Sequence, residues 1–273
     1  MADILIFTGQ SNMNGQTDEY RECSAIKNAF EYHLLTDSLR PLKDACGENL
    51  RLDYTRGVPF DRNDGNGWRA AHVLGQAIGS SLLPAFCKSY TERTSRTVVA
   101  VHAAKGVAAI ADFAEGGSLY KAILKKARGA RNREEAELGV KHVYMIWLQG
   151  ESDALLDTGE AEYLRQLKAF IDACKRELGI ERFGMIKVGR YTNDKRDDAI
   201  MRAQEAACAD GALCLMLTHA APELTACAAC MNPMVPGHFS TLGLDTLGEI
   251  AGNAMANYAV SETSEGKESL YHG

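Results

Sequence analysis

A hydroxyl, an imidazole and a carboxylate occur in this sequence at turns where an acyl-transfer reaction can use them. Ser11 lies in GQSNM (residues 9–13) after an apolar run, Glu151 lies in QGE (149–151) after another, and His238 precedes the last helical segment. A serine nucleophile, a histidine base, an acid that orients the base and N–H donors for the oxyanion are sufficient to hydrolyse an ester. Each residue also has a structural interpretation, with Ser11 as a helix cap and Glu151 as a helix-start acid.

Strands and helices that would position these groups alternate along the chain. Apolar, β-rich runs predict strands at 4–8, 98–102, 143–148, 183–188 and, more weakly, 213–217. Helical periodicity predicts helices over about 67–83, 119–131, 160–178, 197–209 and 241–258. This alternation predicts a doubly wound α/β protein, in which helices cover both faces of a parallel sheet. Ligands of such sheets bind beyond the carboxyl ends of the strands, which is where Ser11 and Glu151 fall.

The chain is expected to form one domain over residues 1–260. Its 273 residues and 46% apolar content provide a substantial core and exclude extensive disorder. Residues 14–66 interrupt the alternation, which predicts a loop-rich insertion that caps the sheet. Residues 261–273 are polar and are expected to form a frayed tail.

Charge and composition indicate which partners and compartment to expect. Thirty basic against 36 acidic residues give a net charge of −6, which argues against a nucleic-acid partner. The start of the chain lacks a basic leader region, and no run approaches the roughly 18 apolar residues of a membrane helix. Eight cysteines scattered over a long chain predict free thiols. We therefore expect a cytoplasmic protein.

One cysteine pair, Cys227 and Cys230, has the C-x-x-C spacing of zinc sites and redox dithiols. A zinc site normally requires a second pair of ligands with matching spacing, and the sequence offers none. A thioredoxin-type dithiol would follow an early strand, whereas this pair lies late in the chain. The spacing therefore favours two small packing residues and leaves a functional role open.

Three segments, taken in their order along the chain, carry a family resemblance. GQSNM (9–13), WLQGESD (147–153) and GHFS (237–240) resemble the SGNH (GDSL-like) hydrolases, and among them the sialate O-acetylesterases and acetylxylan esterases. The resemblance extends from Ile4 to about Ala256. It implies a three-layer, flavodoxin-like α/β/α fold and a serine esterase that removes O-acetyl groups from a small acetylated carbohydrate. No cofactor or metal is expected.

The resemblance also implies roles for individual residues. Ser11 matches the nucleophile and His238 the base, with His102 and His219 as less well placed alternatives. The N–H groups of Ser11 and Gly106 match the oxyanion hole, and the side chain of Gln149 matches the polar amide that completes it.

The acid of the triad is open, because Val235 stands where the family's Asp-x-x-His motif has its aspartate. Three arrangements remain: Glu151 orients His238, a backbone carbonyl near Val235 does so, or no partner exists. Relatives with the Gln-Gly-Glu motif are thought to use its glutamate, which favours Glu151.

Two alternatives to this enzyme remain. One is an α/β-hydrolase, whose G-x-S-x-G elbow is not matched at Ser11, and the other is a sugar-binding module that has kept the fold and lost its activity.

Overall fold

The computed structural model describes residues 1–17, 23–51, 73–77, 79–209 and 211–268. Its strands are β1 (Ala2–Gly9), β2 (Ala29–His33), β3 (Ser38–Pro41), β4 (Gly47–Arg51), β5 (Val73–Gln76), β6 (Thr97–His102), β7 (Val140–Leu148), β8 (Arg182–Ile186) and β9 (Leu215–Thr218). Its α-helices are α1 (Ser11–Asn14), α2 (Leu83–Thr94), α3 (Ser118–Glu137), α4 (Glu151–Leu155), α5 (Glu160–Leu178), α6 (Lys195–Cys208), α7 (Ala221–Leu224) and α8 (Thr241–Glu268). Short 3₁₀ helices span Ile110–Phe113 and Ala228–Cys230.

The centre of the molecule is a seven-stranded sheet in the order β3-β2-β6-β1-β7-β8-β9. All neighbouring strands in it are parallel except β2 and β3. β1 lies in the middle, with Phe7 opposite His102 of β6 and Gly9 opposite Leu148 of β7. The predicted doubly wound α/β sheet in a single domain is therefore confirmed, and the carboxyl ends of β1, β6 and β7 adjoin one another.

Apolar side chains on both faces of β1 explain why helices cover both sides of the sheet. Successive residues of a strand point to opposite faces. Ile4 and Ile6 pack into the layer formed by α3, α5 and α6, whereas Leu5 and Phe7 pack into the layer formed by α2 and α8. All four side chains are buried, so β1 is fixed from both sides up to Phe7, four residues before Ser11.

Two predicted segments differ from the structure. Within the expected insertion, β2 and β3 extend the sheet beyond β6, so this region does more than cap it. The helix expected over 67–83 is wrong: residues 73–76 form β5, and α2 begins only at Leu83. Gly75 and Gly79 have φ of +66° and +90°, which a right-handed helix cannot contain. Residues 52–72 lie outside the described part of the chain.

The structure also differs from the sequence-based expectations for the end of the chain and for the cysteines. α8 continues to Glu268, so the polar segment is helical beyond Ser261. Cys208 and Cys214 form a disulfide with their Cα atoms 4.9 Å apart, which corrects the expectation of free thiols throughout. The link joins the end of α6 to the approach to β9, six residues further along the chain. No helix in the described residues is long and apolar enough to span a membrane.

A buried ion pair fastens the antiparallel β4–β5 ribbon to the main sheet. Lys126 of α3 is fully buried, and its Nζ lies 3.1 Å from Oε1 of Glu48 and 2.9 Å from the carbonyl oxygen of His102. Glu48 also accepts the N–H groups of Leu34 and Leu35, at 2.5 and 2.8 Å. The carboxyl end of β6 is therefore held by a charged side chain with no access to water.

Replacement of Lys126 should destabilise the fold strongly. Lys126→Met leaves Glu48 buried without its cation, so we expect the free energy of unfolding to fall by about 3–5 kcal/mol in urea denaturation. Lys125→Met is the matched control, because Lys125 is exposed on the same helix, and a change within about 0.5 kcal/mol is expected there. Equal losses in both variants would contradict this role of the buried pair.

Candidate active site

The turn that presents Ser11 is shaped by its neighbours at the end of β1. Gly9 has φ +146°, and a Cβ atom there would overlap the carbonyl oxygen of Leu148 in β7. The N–H of Gln10 then donates to that same carbonyl, at 3.1 Å. Only glycine allows this close approach. β1 consequently ends tightly against β7, and Ser11 starts α1 at the carboxyl edge of the sheet.

The imidazole of His238 lies against the hydroxyl of Ser11. Its Nε2 is 2.8 Å from Oγ of Ser11, and its Nδ1 is 3.1 Å from the carbonyl oxygen of Pro236. Because a carbonyl only accepts hydrogen bonds, the ring proton sits on Nδ1, and the lone pair of Nε2 faces the hydroxyl. Burial lowers the pKa of His238 below that of an ordinary histidine, so the ring is neutral at pH 7. This is the tautomer and charge state of a general base.

Asn12 fixes the loop that carries the imidazole. Its Nδ2 donates to Oε1 of Glu151 at 2.7 Å and to the carbonyl oxygen of Gly237 at 3.2 Å. Its Oδ1 accepts the N–H of Phe239 at 3.1 Å. The residue that follows the candidate nucleophile therefore holds both chain neighbours of His238.

Glu151 lies behind Asn12, and the predicted contact between Glu151 and His238 is not formed. The glutamate is buried at the start of α4, where its Oε1 binds the Asn12 amide and its Oε2 has no hydrogen-bond partner among the described residues. Burial raises its pKa. Of the three arrangements that the sequence left open, the structure therefore forms the backbone one, with Pro236 as the partner of the imidazole.

Gly106 follows β6 on the side of β1 opposite to β7. The N–H of Lys105 donates to the carbonyl oxygen of Gly9 at 2.9 Å, so the next residue lies alongside the turn that begins with Ser11. Within the described residues, the N–H groups of Ser11 and Gly106 donate to no other group. Both are thus available to a ligand, as the sequence predicted for an oxyanion hole.

Gln149 is placed differently from the prediction. It is fully buried, and its Nε2 lies 3.0 Å from the carbonyl oxygen of Ala108 and 2.5 Å from Oδ2 of Asp153. Its Oε1 accepts the hydroxyl of Tyr163 at 2.8 Å. Oε1 of Gln10 lies 3.3 Å from Nε2 of Gln149 as well, and an amide NH₂ group has only two hydrogens, so protein oxygens use both. Gln149 therefore holds the loop that follows Gly106, which does not support the predicted third oxyanion donor.

The loop after β8 supports the His238 loop from a further side. Gly237 has φ +75°, and a Cβ atom there would overlap the ring of Tyr191. The N–H groups of Tyr191, Thr192 and Asn193 donate to the buried carboxylate of Asp197 at 2.6–3.1 Å. A single carboxylate thus orders this turn against Gly237.

Sequence reasoning identified Ser11 and His238, whose side chains are in contact, but it did not identify the residues that hold them in place. The position of Asn12 directly after the nucleophile was a usable signal, because a buried amide needs partners on several chain segments. Nothing in the sequence pointed to Pro236, since any residue supplies a backbone carbonyl.

In the described residues, no group of three or more His, Cys, Asp or Glu side chains is placed to hold a metal ion.

Hydroxyl, neutral imidazole and two unengaged N–H groups together make a site that can perform acyl transfer. In such a reaction a hydroxyl can serve as the nucleophile, an imidazole can remove its proton, and N–H groups can stabilise an oxyanion.

Comparison with known proteins agrees with this chemistry. A family profile described as "Carbohydrate esterase, sialic acid-specific acetylesterase" matches residues 1–257. A search of curated protein sequences found no match.

Solved structures share the fold at low sequence identity. A protein from Arabidopsis thaliana is 17% identical with a TM-score of 0.63, covering 94% of this chain and 98% of its own. NanS is 13% identical with a TM-score of 0.61, covering 96% and 98%. A carbohydrate acetylesterase from Xanthomonas citri is 15% identical with a TM-score of 0.50, covering 93% of this chain and 56% of its own. Because the profile matches nearly the whole chain, this protein belongs to the sialic acid-specific acetylesterase family of carbohydrate esterases.

Proposed function

We propose that this chain is a serine esterase that removes O-acetyl groups from a sugar through an acetyl-enzyme intermediate. The observation that carries the proposal is the 2.8 Å contact between Nε2 of His238 and Oγ of Ser11. Membership in a carbohydrate esterase family supports an acetylated sugar as the substrate.

In the first half of the reaction, Oγ of Ser11 attacks the acetyl carbonyl carbon while its proton passes to Nε2 of His238. The N–H groups of Ser11 and Gly106 donate to the oxyanion of the tetrahedral intermediate, where one such donor is worth roughly 2.7–4 kcal/mol. The imidazolium then protonates the sugar oxygen as the C–O bond breaks. The sugar leaves, and the acetyl group stays on Ser11.

In the second half, water replaces the sugar hydroxyl. His238 takes a proton from the water as it attacks the acetyl carbon, and the same N–H groups hold the new oxyanion. Collapse of this intermediate returns the proton to Oγ of Ser11 and releases acetate. The carbonyl of Pro236 accepts a hydrogen bond from Nδ1–H in both halves, so the ring keeps one orientation without a neighbouring carboxylate.

Two acetylated sugars are the candidate substrates. The family description favours an O-acetylated sialic acid, and the sequence resemblance also includes acetylated xylo-oligosaccharides. Acetate release by the purified protein from both compounds decides between them. Release from neither would contradict the proposed substrate class.

Loss of the nucleophile should abolish the activity. Ser11→Ala removes the atom that forms the acetyl-enzyme, and loss of the serine costs about 10⁶ in kcat in a well-studied serine protease. Hydrolysis of a chromogenic acetate ester measures the effect. Ser24→Ala is the matched control, because Ser24 is exposed and outside the proposed machinery. Turnover above a tenth of wild type in Ser11→Ala would refute the mechanism.

Substitutions of Glu151 distinguish two possible roles of this residue: an acceptor that anchors the Asn12 amide, or an acid that orients His238. Glu151→Gln keeps an oxygen that accepts the Asn12 amide, so we expect kcat to stay within a few fold of wild type. Glu151→Leu removes that acceptor and should lower kcat further, because the His238 loop loses part of its support. An orienting carboxylate would instead make both variants lose about 10⁴ in kcat. A collapse of kcat in Glu151→Gln at unchanged melting temperature would contradict the anchor role.

Gln149 should matter more to stability than to the chemical step. Gln149→Leu leaves buried oxygens of Ala108 and Asp153 without its donors, so the free energy of unfolding should fall by about 1–3 kcal/mol or more. A direct oxyanion donor would instead lower kcat by roughly 10²–10³ at unchanged stability. Gln166→Leu, on the outer surface of α5, is the control for the substitution itself. Thermal melts and kcat of both variants distinguish these outcomes.

A further inference from the structure

The segment Cys227-Ala228-Ala229-Cys230 has no part in the proposed mechanism, and its geometry is that of a closable dithiol. The N–H of Cys230 donates to the carbonyl oxygen of Cys227 at 2.9 Å, which closes a tight turn. Such a turn brings its first and fourth Cα atoms within ~7 Å, and a disulfide spans Cα separations of ~4.4–6.8 Å. The backbone of this turn is therefore already close to the conformation that a bridge between the two sulfur atoms requires.

The two thiols have different environments. Cys227 is exposed, whereas Cys230 is 6% exposed and packs beneath it. The Cys230 thiol and the N–H groups of Cys230 and Ala229 lower the pKa of Cys227, and burial raises that of Cys230. Burial likewise raises the pKa of the enclosed Cys87 and Cys174 thiols. An exposed thiol with a lowered pKa next to a shielded thiol is the usual arrangement of an attacking and a resolving cysteine.

This dithiol lies at the base of the hairpin that carries His238. The N–H of Ser240 donates to the carbonyl oxygen of Cys230, and its Oγ donates to that of Ala229, both at 2.8 Å. Met231 and Phe239 pair across the same hairpin. A covalent change at the two sulfurs would thus occur next to the backbone that positions the candidate base.

We propose that Cys227 and Cys230 form a redox-active dithiol that reacts with low-molecular-weight disulfides. The thiolate of Cys227 attacks one sulfur of the disulfide, forms a mixed disulfide and expels the first small thiolate. Cys230 then loses its proton to solvent and attacks the Cys227 sulfur, which releases the second small thiolate and closes an intrachain disulfide. Two protein thiols are oxidised, and one external disulfide is reduced to two thiols.

The test treats the reduced, folded protein with oxidised glutathione, blocks remaining thiols by alkylation and maps peptides by mass spectrometry. In wild type we expect a disulfide that joins Cys227 to Cys230, with no glutathione on Cys87 or Cys174. In Cys230→Ser we expect a lasting glutathione adduct on Cys227, and in Cys227→Ser no glutathione on Cys230. Cys23→Ser is the control and should form the same bridge as wild type.

Two results would overturn the proposal. A glutathione adduct that persists on Cys227 in wild type would show that Cys230 does not resolve it. Absence of any modification at either cysteine would show that the pair is unreactive. The wild-type reaction alone distinguishes these outcomes from the expected bridge, so the proposal stays testable even if a variant fails to fold.

Discussion

Three hydrogen bonds from the Asn12 side chain hold the two halves of the active site together. Asn12 follows Ser11, the proposed nucleophile, near the start of the chain, and it binds the backbone on both sides of His238, more than 220 residues later. Two of its partners, Glu151 and Gly237, offer only acceptor oxygens, and the third, Phe239, offers a donor N–H. This pattern permits a single orientation of the amide. The distance between Ser11 and His238 therefore depends on one buried side chain whose partners determine its orientation.

A backbone carbonyl replaces the usual carboxylate beside the imidazole. The carbonyl of Pro236 fixes the tautomer of His238 without placing a charged group beside the ring. Glu151, which the sequence favoured as the partner of the imidazole, instead accepts a hydrogen bond from Asn12. Two groups thus share the work of a triad aspartate: the Pro236 carbonyl orients the imidazole, and Glu151 supports the His238 loop through Asn12.

The sequence predicted the features that depend on residues close together in the chain, such as buried strands and the groups that follow them. Buried strands such as β1 are continuous apolar runs, and the groups that follow them meet at one edge of the sheet. This reasoning predicted that Ser11 and His238 lie close together, and their side chains are in contact in the structure. Whether a side chain at that edge faces the nucleophile or the interior depends on its neighbours, so Glu151 and Gln149 were placed in the right region with the wrong partners. The short strands β2 and β3 were not predicted because their five and four residues mix polar and apolar types without a clear period.

Covalent labelling of the nucleophile tests the central claim most directly. A fluorophosphonate reacts much faster with a serine hydroxyl whose proton a neighbouring base removes. The account predicts a single phosphonyl group on Ser11, formed in parallel with the loss of esterase activity and absent from His238→Ala. Labelling of another residue as activity is lost, or full activity in protein completely labelled at Ser11, would contradict it.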